Sequence, residues 1–391
     1  MGAETLAARQ ASVNVDRYAA DPGRVVGGNA VRLLHNGVQA FPAWLDAIDQ
    51  ARERVSLEMY IFNDDTVGRR FSDALLGAVQ RGVTVRLLYD YIGCRYTPSA
   101  FFERMREGGI RTIVYHGHRG WRPKIWKLFR RNHRKTLVVD GHVAFTGGLN
   151  ISTEWLPAAE GGDDWHDAVI QIRGPAVQVV EASFAAVWNR RSPKRFRLDV
   201  PAGPGADVAG ATPIAILVNS ERHERFTIRR AVLHAMRVGA RRIWVANPYF
   251  APDGGVLRTL RLAAQVGIDV RVLLPRESDS EILDAAARAT FARLLKARVR
   301  IWQSRQVLHT KAILVDDAFV SIGTYNFDHR SLAYNLEMMA NVFDQPFAAA
   351  VDAMLAYEMT TADEVTMATV EARPMLLRLF DRLALSLRRW L

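Results

Sequence analysis

The sequence predicts an α/β protein of two pseudo-symmetric domains, each a mixed, mostly parallel sheet flanked by helices, with an active site at their interface. Three observations lead there. Strand-like and helix-like segments alternate, the same order recurs in the second half of the chain, and a stretch rich in Pro and Gly separates the two runs. At 391 residues the chain also exceeds one ordinary hydrophobic core, so two domains are expected.

The elements follow in order. "VSLEMYIF" (55–62) is an apolar run of strand length, and "RRFSDALLGAVQRG" has helical spacing that stops at Gly82. "VTVRLLYD" (83–90) is a second strand, "SAFFERMREGG" a helix and "IRTIVYH" a third strand. Such alternation implies βαβ units. In the second half "FTIRRAVLHAMRVGA" is helical and "RIWVANPYF" (242–250) a strand. "GVLRTLRLAAQVG", "IDVRVLLP" (268–275), "ATFARLLKA" and "RVRIWQS" continue as helix, strand, helix and strand. "RRSPKRFRLDVPAGPGADVAGATP" (190–213) reads as the linker. The expected division is 1–200, 201–360 and a C-terminal basic helix over 361–391.

Composition narrows the class. With 49% hydrophobic and 24% charged residues the chain is globular rather than disordered. A single cysteine, Cys94, rules out a disulfide framework. A net charge of +11 suggests an anionic partner. The first residues lack a signal-peptide pattern, and Leu6 breaks the myristoylation pattern. No apolar run reaches about 18 residues, so membrane contact is expected to be peripheral.

One motif occurs twice. "NHRKTLVVDGHVAFTGGLN" (132–150) contains His133, Lys135, Asp140, Gly147 and Asn150, and "LHTKAILVDDAFVSIGTYN" (308–326) contains His309, Lys311, Asp316, Gly323 and Asn326. All five positions repeat at a constant offset of 176 residues. His and Lys two apart share a strand face. A cation beside an imidazole suits a phosphodiester, whose nonbridging oxygens gain charge in the transition state. The Asn amides can donate to the same oxygens, and Gly147 and Gly323 are expected to let backbone approach an anion. Two histidines on opposite sides of one phosphorus can serve as nucleophile and general acid.

Asp140 and Asp316 complete this candidate catalytic set, but their spacing gives them another task. Seven residues of strand span about 23 Å and reverse the side-chain face. Asp140 should not reach His133, nor Asp316 reach His309; "DG" and "DD" read as hairpin turns. An imidazole that attacks or donates still needs a carboxylate on its other nitrogen. Asp167 in "WHDAVIQI" is expected to serve His133, and Glu337 in "YNLEMM" to serve His309, each lying in the next strand-like run.

These motifs resemble the phospholipase D superfamily, whose signature H-x-K-x4-D-x6-G-x-x-N occurs in duplicate. "DDWHDAVIQIRGPAV", "ANPYFAPD" and "HTKAILVDDAFVSIGTYNFDHRSLAYNLE" are most similar to bacterial cardiolipin synthases. The resemblance implies a covalent phosphatidyl-histidine intermediate, with His133 as nucleophile and His309 as acid. It also implies transfer between two phosphatidylglycerol molecules and no metal or other cofactor, because Lys and Asn take a cation's place. No convincing metal cluster is visible in the sequence; His116 and His118 read as a loop. Many members of the family begin with transmembrane helices, and none is expected from this sequence.

The rivals are a phospholipase D-type phosphodiesterase that hydrolyses phospholipids or nucleic acid, and an inactive scaffold. Two segments favour lipid over nucleic acid. Basic residues around Trp121, Trp126 and Phe129 suit an anionic bilayer, although single-stranded nucleic acid could stack there too. "RPMLLRLFDRLALSLRRWL" (373–391) places Leu376, Phe380, Leu383, Leu387 and Trp390 at helical spacing, as in an interfacial helix. The expected partners are anionic phospholipids on the cytoplasmic side of a bacterial membrane, served by a monomer.

Overall fold

The computed structural model describes residues 13–116, 130–199, 207–219 and 224–388. Trp121, Trp126, Phe129 and Trp390, the expected membrane contacts, lie outside the described residues.

The N-terminal half runs α1 (Val15–Tyr18), β1 (Val26–His35), α2 (Asn36–Asp49), β2 (Arg54–Met59), α3 (Thr66–Gln80) and β3 (Thr84–Asp90). It continues with α4 (Ser99–Glu107), β4 (Arg111–Tyr115), β5 (Thr136–Val139), β6 (Val143–Gly147), β7 (Ala168–Arg173) and α5 (Ala176–Arg191). The C-terminal half runs β8 (Thr212–Val218), α6 (Thr227–Val238), β9 (Arg242–Ala246), α7 (Gly254–Gln265), β10 (Asp269–Pro275), α8 (Glu281–Leu295) and β11 (Arg300–Ser304). After it come β12 (Ala312–Val315), β13 (Phe319–Gly323), α9 (His329–Ala333), β14 (Met338–Phe343), α10 (Gln345–Thr360), β15 (Asp363–Val365), α11 (Met367–Ala372) and α12 (Met375–Ser386).

Among the described residues, all these strands join one sheet ordered β15-β11-β10-β9-β12-β13-β14-β8-β1-β7-β6-β5-β2-β3-β4. The order from β11 to β8 mirrors the order from β4 to β1, which is the internal repeat made spatial. The halves meet where β1 pairs antiparallel with both β7 and β8.

The expectation of a mostly parallel sheet needs correction. Parallel pairing is confined to β2–β3–β4 and β9–β10–β11, where helices cross over between strands. The motif strands are hairpins, β5/β6 and β12/β13, and a tight hairpin can only be antiparallel. The linker is also shorter than its composition suggested, because α5 extends to Arg191 and β8 starts at Thr212.

Helices cover both faces. One core lies under α2, α3 and α4, with Trp44, Phe71 and Phe145 packed edge to face. A second lies under α6, α7 and α8. A third, beneath α5 and α10, draws Val138 and Ile170 from one half and Leu314 and Ile322 from the other, so the two halves share apolar burial. At the far edge α12 docks on α8 through Asp381 and Ala384, while Leu376, Phe380, Leu383 and Leu387 stay exposed.

Candidate active site

Each motif histidine stands just before the first strand of its hairpin, on a segment that crosses to the other half. Asn132 bridges Leu336, and His166 bridges Leu308. The His133 N–H donates to the Leu336 carbonyl at 3.0 Å, and the His309 N–H to the His166 carbonyl at 2.7 Å.

This crossing sets the carboxylate partners. His133 Nδ1 lies 3.0 Å from Glu337 Oε2, and His309 Nδ1 lies 2.6 Å from Asp167 Oδ2. Sequence proximity had assigned Asp167 to His133 and Glu337 to His309, so both assignments are exchanged. The reason is that each carboxylate heads the strand after its own hairpin, and that strand's start faces the opposite half. In each case the carboxylate accepts the Nδ1 proton, so the Nε2 lone pair points away toward the reacting atoms.

Both lysines are fully buried. Lys135 Nζ donates to the His133 carbonyl at 2.9 Å, and Lys311 Nζ to that of His309. Lys311 Nζ also lies 2.7 Å from His309 Nδ1. That nitrogen holds a single bond site, and the Asp167 carboxylate is the stronger partner for its proton. Burial lowers both lysines, Lys135 well below the usual ammonium range and Lys311 to about 8. Burial likewise lowers both imidazoles to about 4, and each histidine also feels the lysine of the opposite half. The histidines are therefore neutral near pH 7, as a nucleophile must be.

Asn150 Oδ1 accepts from the Ile61 N–H at 3.1 Å, which keeps its amino group as the donor for a ligand. Asn326 Oδ1 is buried without a partner.

Gly147 and Gly323 serve the strands rather than an anion. A Cβ on Gly147 would stand 2.3 Å from the Ala168 carbonyl oxygen, and one on Gly323 2.2 Å from that of Met338. They close their hairpins onto β7 and β14, so their expected phosphate contact is corrected. The glycine that touches the chemistry is Gly148, where a Cβ would stand 2.2 Å from Asp167 Oδ1. It was visible as the second member of the "GG" pair.

Asp140 and Asp316 lie at the hairpin turns, with φ of 52° and 53°. Asp140 accepts from the N–H groups of Arg52, Glu53 and Arg54, and Asp316 from those of Ala240, Arg241 and Arg242 plus the Tyr18 hydroxyl. Neither contacts a histidine. As their spacing predicted, they stand apart from the catalytic histidines and pin the hairpin tips to the strands beside them. Asp140→Ala should lower stability by about 1–3 kcal/mol while kcat changes less than about threefold, as read by urea denaturation and turnover. A kcat loss as large as that of a motif histidine variant would contradict this.

Other contributors had no sequence signature. Glu337 also accepts from Thr324, from Ser331 Oγ at 2.7 Å and from Asn335 Nδ2 at 3.1 Å. Tyr60 packs edge-on against His133. Trp155, Trp165 and Tyr249 surround His309. The sequence also hid a cluster of metal-ligand type, His35, His166 and Glu358, because its members are far apart in the chain.

A buried, pseudo-symmetric pair of His–carboxylate units with two lysines can perform in-line displacement at a phosphodiester. Comparisons with known proteins agree with that chemistry. The family described as "Cardiolipin synthase, PLD-like domain" matches residues 44–188 and 232–358, together more than half of the chain. Cardiolipin synthase A of Pseudomonas putida (strain GB-1) is 35% identical over 342 residues, covering 86% of this chain and 70% of that protein. Cardiolipin synthase 1 of Bacillus cereus is 35% identical over 323 residues, covering 80% and 63%. In fold, the crystal structure of phosphatidylserine synthase from Haemophilus influenzae Rd KW20 superposes with a TM-score of 0.71 at 12% identity, over 95% of this chain and 96% of that one. The chain belongs to the cardiolipin synthase family with a duplicated phospholipase D-like domain.

Proposed function

We propose that the protein is a phosphatidyltransferase that makes cardiolipin from two molecules of phosphatidylglycerol. The observation that carries this is the crossed pairing of two buried histidines with two carboxylates, within the cardiolipin synthase family. In the first step His133 Nε2 attacks phosphorus and His309 protonates the departing glycerol oxygen, leaving a phosphatidyl-histidine. In the second, His309 removes the proton from a hydroxyl of another phosphatidylglycerol, which attacks phosphorus and frees His133. Lys135, Lys311, Asn150 and Asn326 bear on the nonbridging oxygens. The bound phosphodiester places a negative charge beside His309, which favours its protonated state.

The reading includes peripheral attachment to the cytoplasmic face of the membrane. It is supported by α12, whose exposed Leu376, Leu379, Phe380 and Leu383 sit among Arg378, Arg382 and Arg388. No described helix is long and apolar enough to cross a bilayer. We also propose residues 1–200 and 201–360 as domains that each supply one histidine and the carboxylate that serves the other's, with α12 as the membrane-facing element, so that one chain suffices.

The test uses purified protein on phosphatidylglycerol vesicles. Cardiolipin should form, with equimolar glycerol, and formation should cease in His133→Ala and His309→Ala. A Leu376→Asp/Phe380→Asp variant should lose flotation with the vesicles while still transferring to detergent-dispersed lipid. Release of phosphatidic acid without cardiolipin would mean hydrolysis, and cleavage of oligonucleotides with untouched lipid would mean a nuclease.

A further inference from the structure

Away from the phosphoryl-transfer centre, three side chains distant in sequence converge. His35 closes β1, His166 lies just before β7, and Glu358 occupies the last turn of α10. His35 Nε2 lies 3.0 Å from Glu358 Oε1, and His166 Nδ1 lies 2.9 and 2.8 Å from the two Glu358 oxygens. One ligand atom from each falls within 4.8 Å of the other two. The Glu358 side chain is 2% exposed, whereas His166 and His35 are 18% and 25% exposed. The carboxylate thus forms a floor and the imidazoles a rim that water reaches.

We propose that His35, His166 and Glu358 bind one divalent cation of the zinc class, through His35 Nε2, His166 Nδ1 and a Glu358 oxygen. Two imidazoles and one carboxylate suit zinc better than magnesium or calcium, which take mostly oxygen ligands. Ligands at about 2.0–2.2 Å around a tetrahedral ion stand roughly 3.3–3.6 Å apart, so the imidazole nitrogens, now 2.8–3.0 Å from the Glu358 oxygens, would open slightly to admit the ion, with all three ligand atoms already within 4.8 Å of one another. The cation replaces the proton that His166 shares with Glu358, and that proton goes to solvent.

The placement gives the ion a structural task. Asn36, next to His35, donates its N–H to the Asp167 carbonyl and accepts the Asp167 N–H on Oδ1 at 2.9 Å. His166, next to Asp167, accepts the His309 N–H on its carbonyl. A cation held by His35 and His166 would therefore brace both sides of the backbone that carries Asp167. It would take no part in bond making.

The experiment titrates chelator-treated full-length protein with Co²⁺ alone and with Zn²⁺ alone. One equivalent should bind, with the visible bands of four-coordinate cobalt, release of protons and a higher Tm. His35→Gln and Glu358→Gln should each weaken uptake by at least roughly 10–100-fold, the cost of losing even an outer partner of a ligand. His142→Gln removes an exposed imidazole 3.6 Å from Asp207 and should change nothing. The absence of four-coordinate bands, or equal uptake by wild type and His35→Gln, overturns the proposal. Should Glu358→Gln not fold, His35→Gln decides alone, because its ring sits at the rim.

Discussion

Glu337→Gln is expected to reduce phosphatidyl transfer by about 10³–10⁴-fold, or about 4–5 kcal/mol of transition-state stabilisation. The substitution keeps the volume but not the charge. Thr324, Ser331 and Asn335 all donate to this carboxylate, so the amide meets donors where an acceptor is needed. His133 then loses the anion that fixes its tautomer and would stabilise it as positive charge develops. The crossed pairing adds a sharper readout. The downfield imidazole proton of His133 should vanish in Glu337→Gln and persist in Asp167→Asn, with the reverse for His309. If Glu337→Gln instead removes the His309 proton signal, the pairing within each half is right and the crossed one is wrong.

Arg134→Met should destabilise the fold by about 3 kcal/mol or more, because it leaves several buried acceptors without their donor at about 1–3 kcal/mol each. Arg134 is 3% exposed and ties three elements together. It donates to Ser183 Oγ at 2.7 Å, the Asn219 carbonyl at 3.1 Å and the Glu337 carbonyl at 3.2 Å. Its charge is also the largest influence opposing the effect of burial on Glu58, whose carboxyl still stands above its ordinary value. Removing Arg134 lifts Glu58 further, so the native state binds more protons than the unfolded chain above about pH 4.3. Stability of the variant must then fall as pH rises through that window and recover as pH drops. Urea denaturation at pH 5 and pH 7 measures this; a deficit below about 1 kcal/mol, or one that shrinks as pH rises, would refute it.

Much of this architecture was legible because it rests on local periodicity. The runs 55–62, 83–90 and 268–275 are mostly Val, Ile, Leu and other apolar residues, and the crossover helices α3, α4 and α7 each stop near a glycine. The hairpin turns at Asp140 and Asp316 followed from the "DG" and "DD" pairs together with parity and strand length. What escaped was tertiary. β1 holds Gly27 and Gly28 and did not read as a strand, yet it joins the two half-sheets. Parity could exclude Asp140 as the partner of His133, but it could not choose between Asp167 and Glu337, because that choice depends on how the halves face. Gly147 and Gly323 were read as anion contacts, since a glycine's small size looks the same whether a ligand or a strand carbonyl fills the space.

The exchanged carboxylates have a consequence for how such a chain can arise and be divided. Position i of one half meets position j of the other, while j of the first meets i of the second. That is the contact rule of an isologous dimer, in which one patch is its own complement. Here the two protomers are covalently fused, so the residues between α5 and β8 act as a tether that fixes a 1:1 ratio and a high effective concentration. Neither half carries a complete histidine dyad by itself, and a lesion in one is felt by the imidazole of the other. Fusion also frees the two copies to diverge, so that one imidazole can specialise in attack and the other in proton transfer while the two-fold wiring is retained.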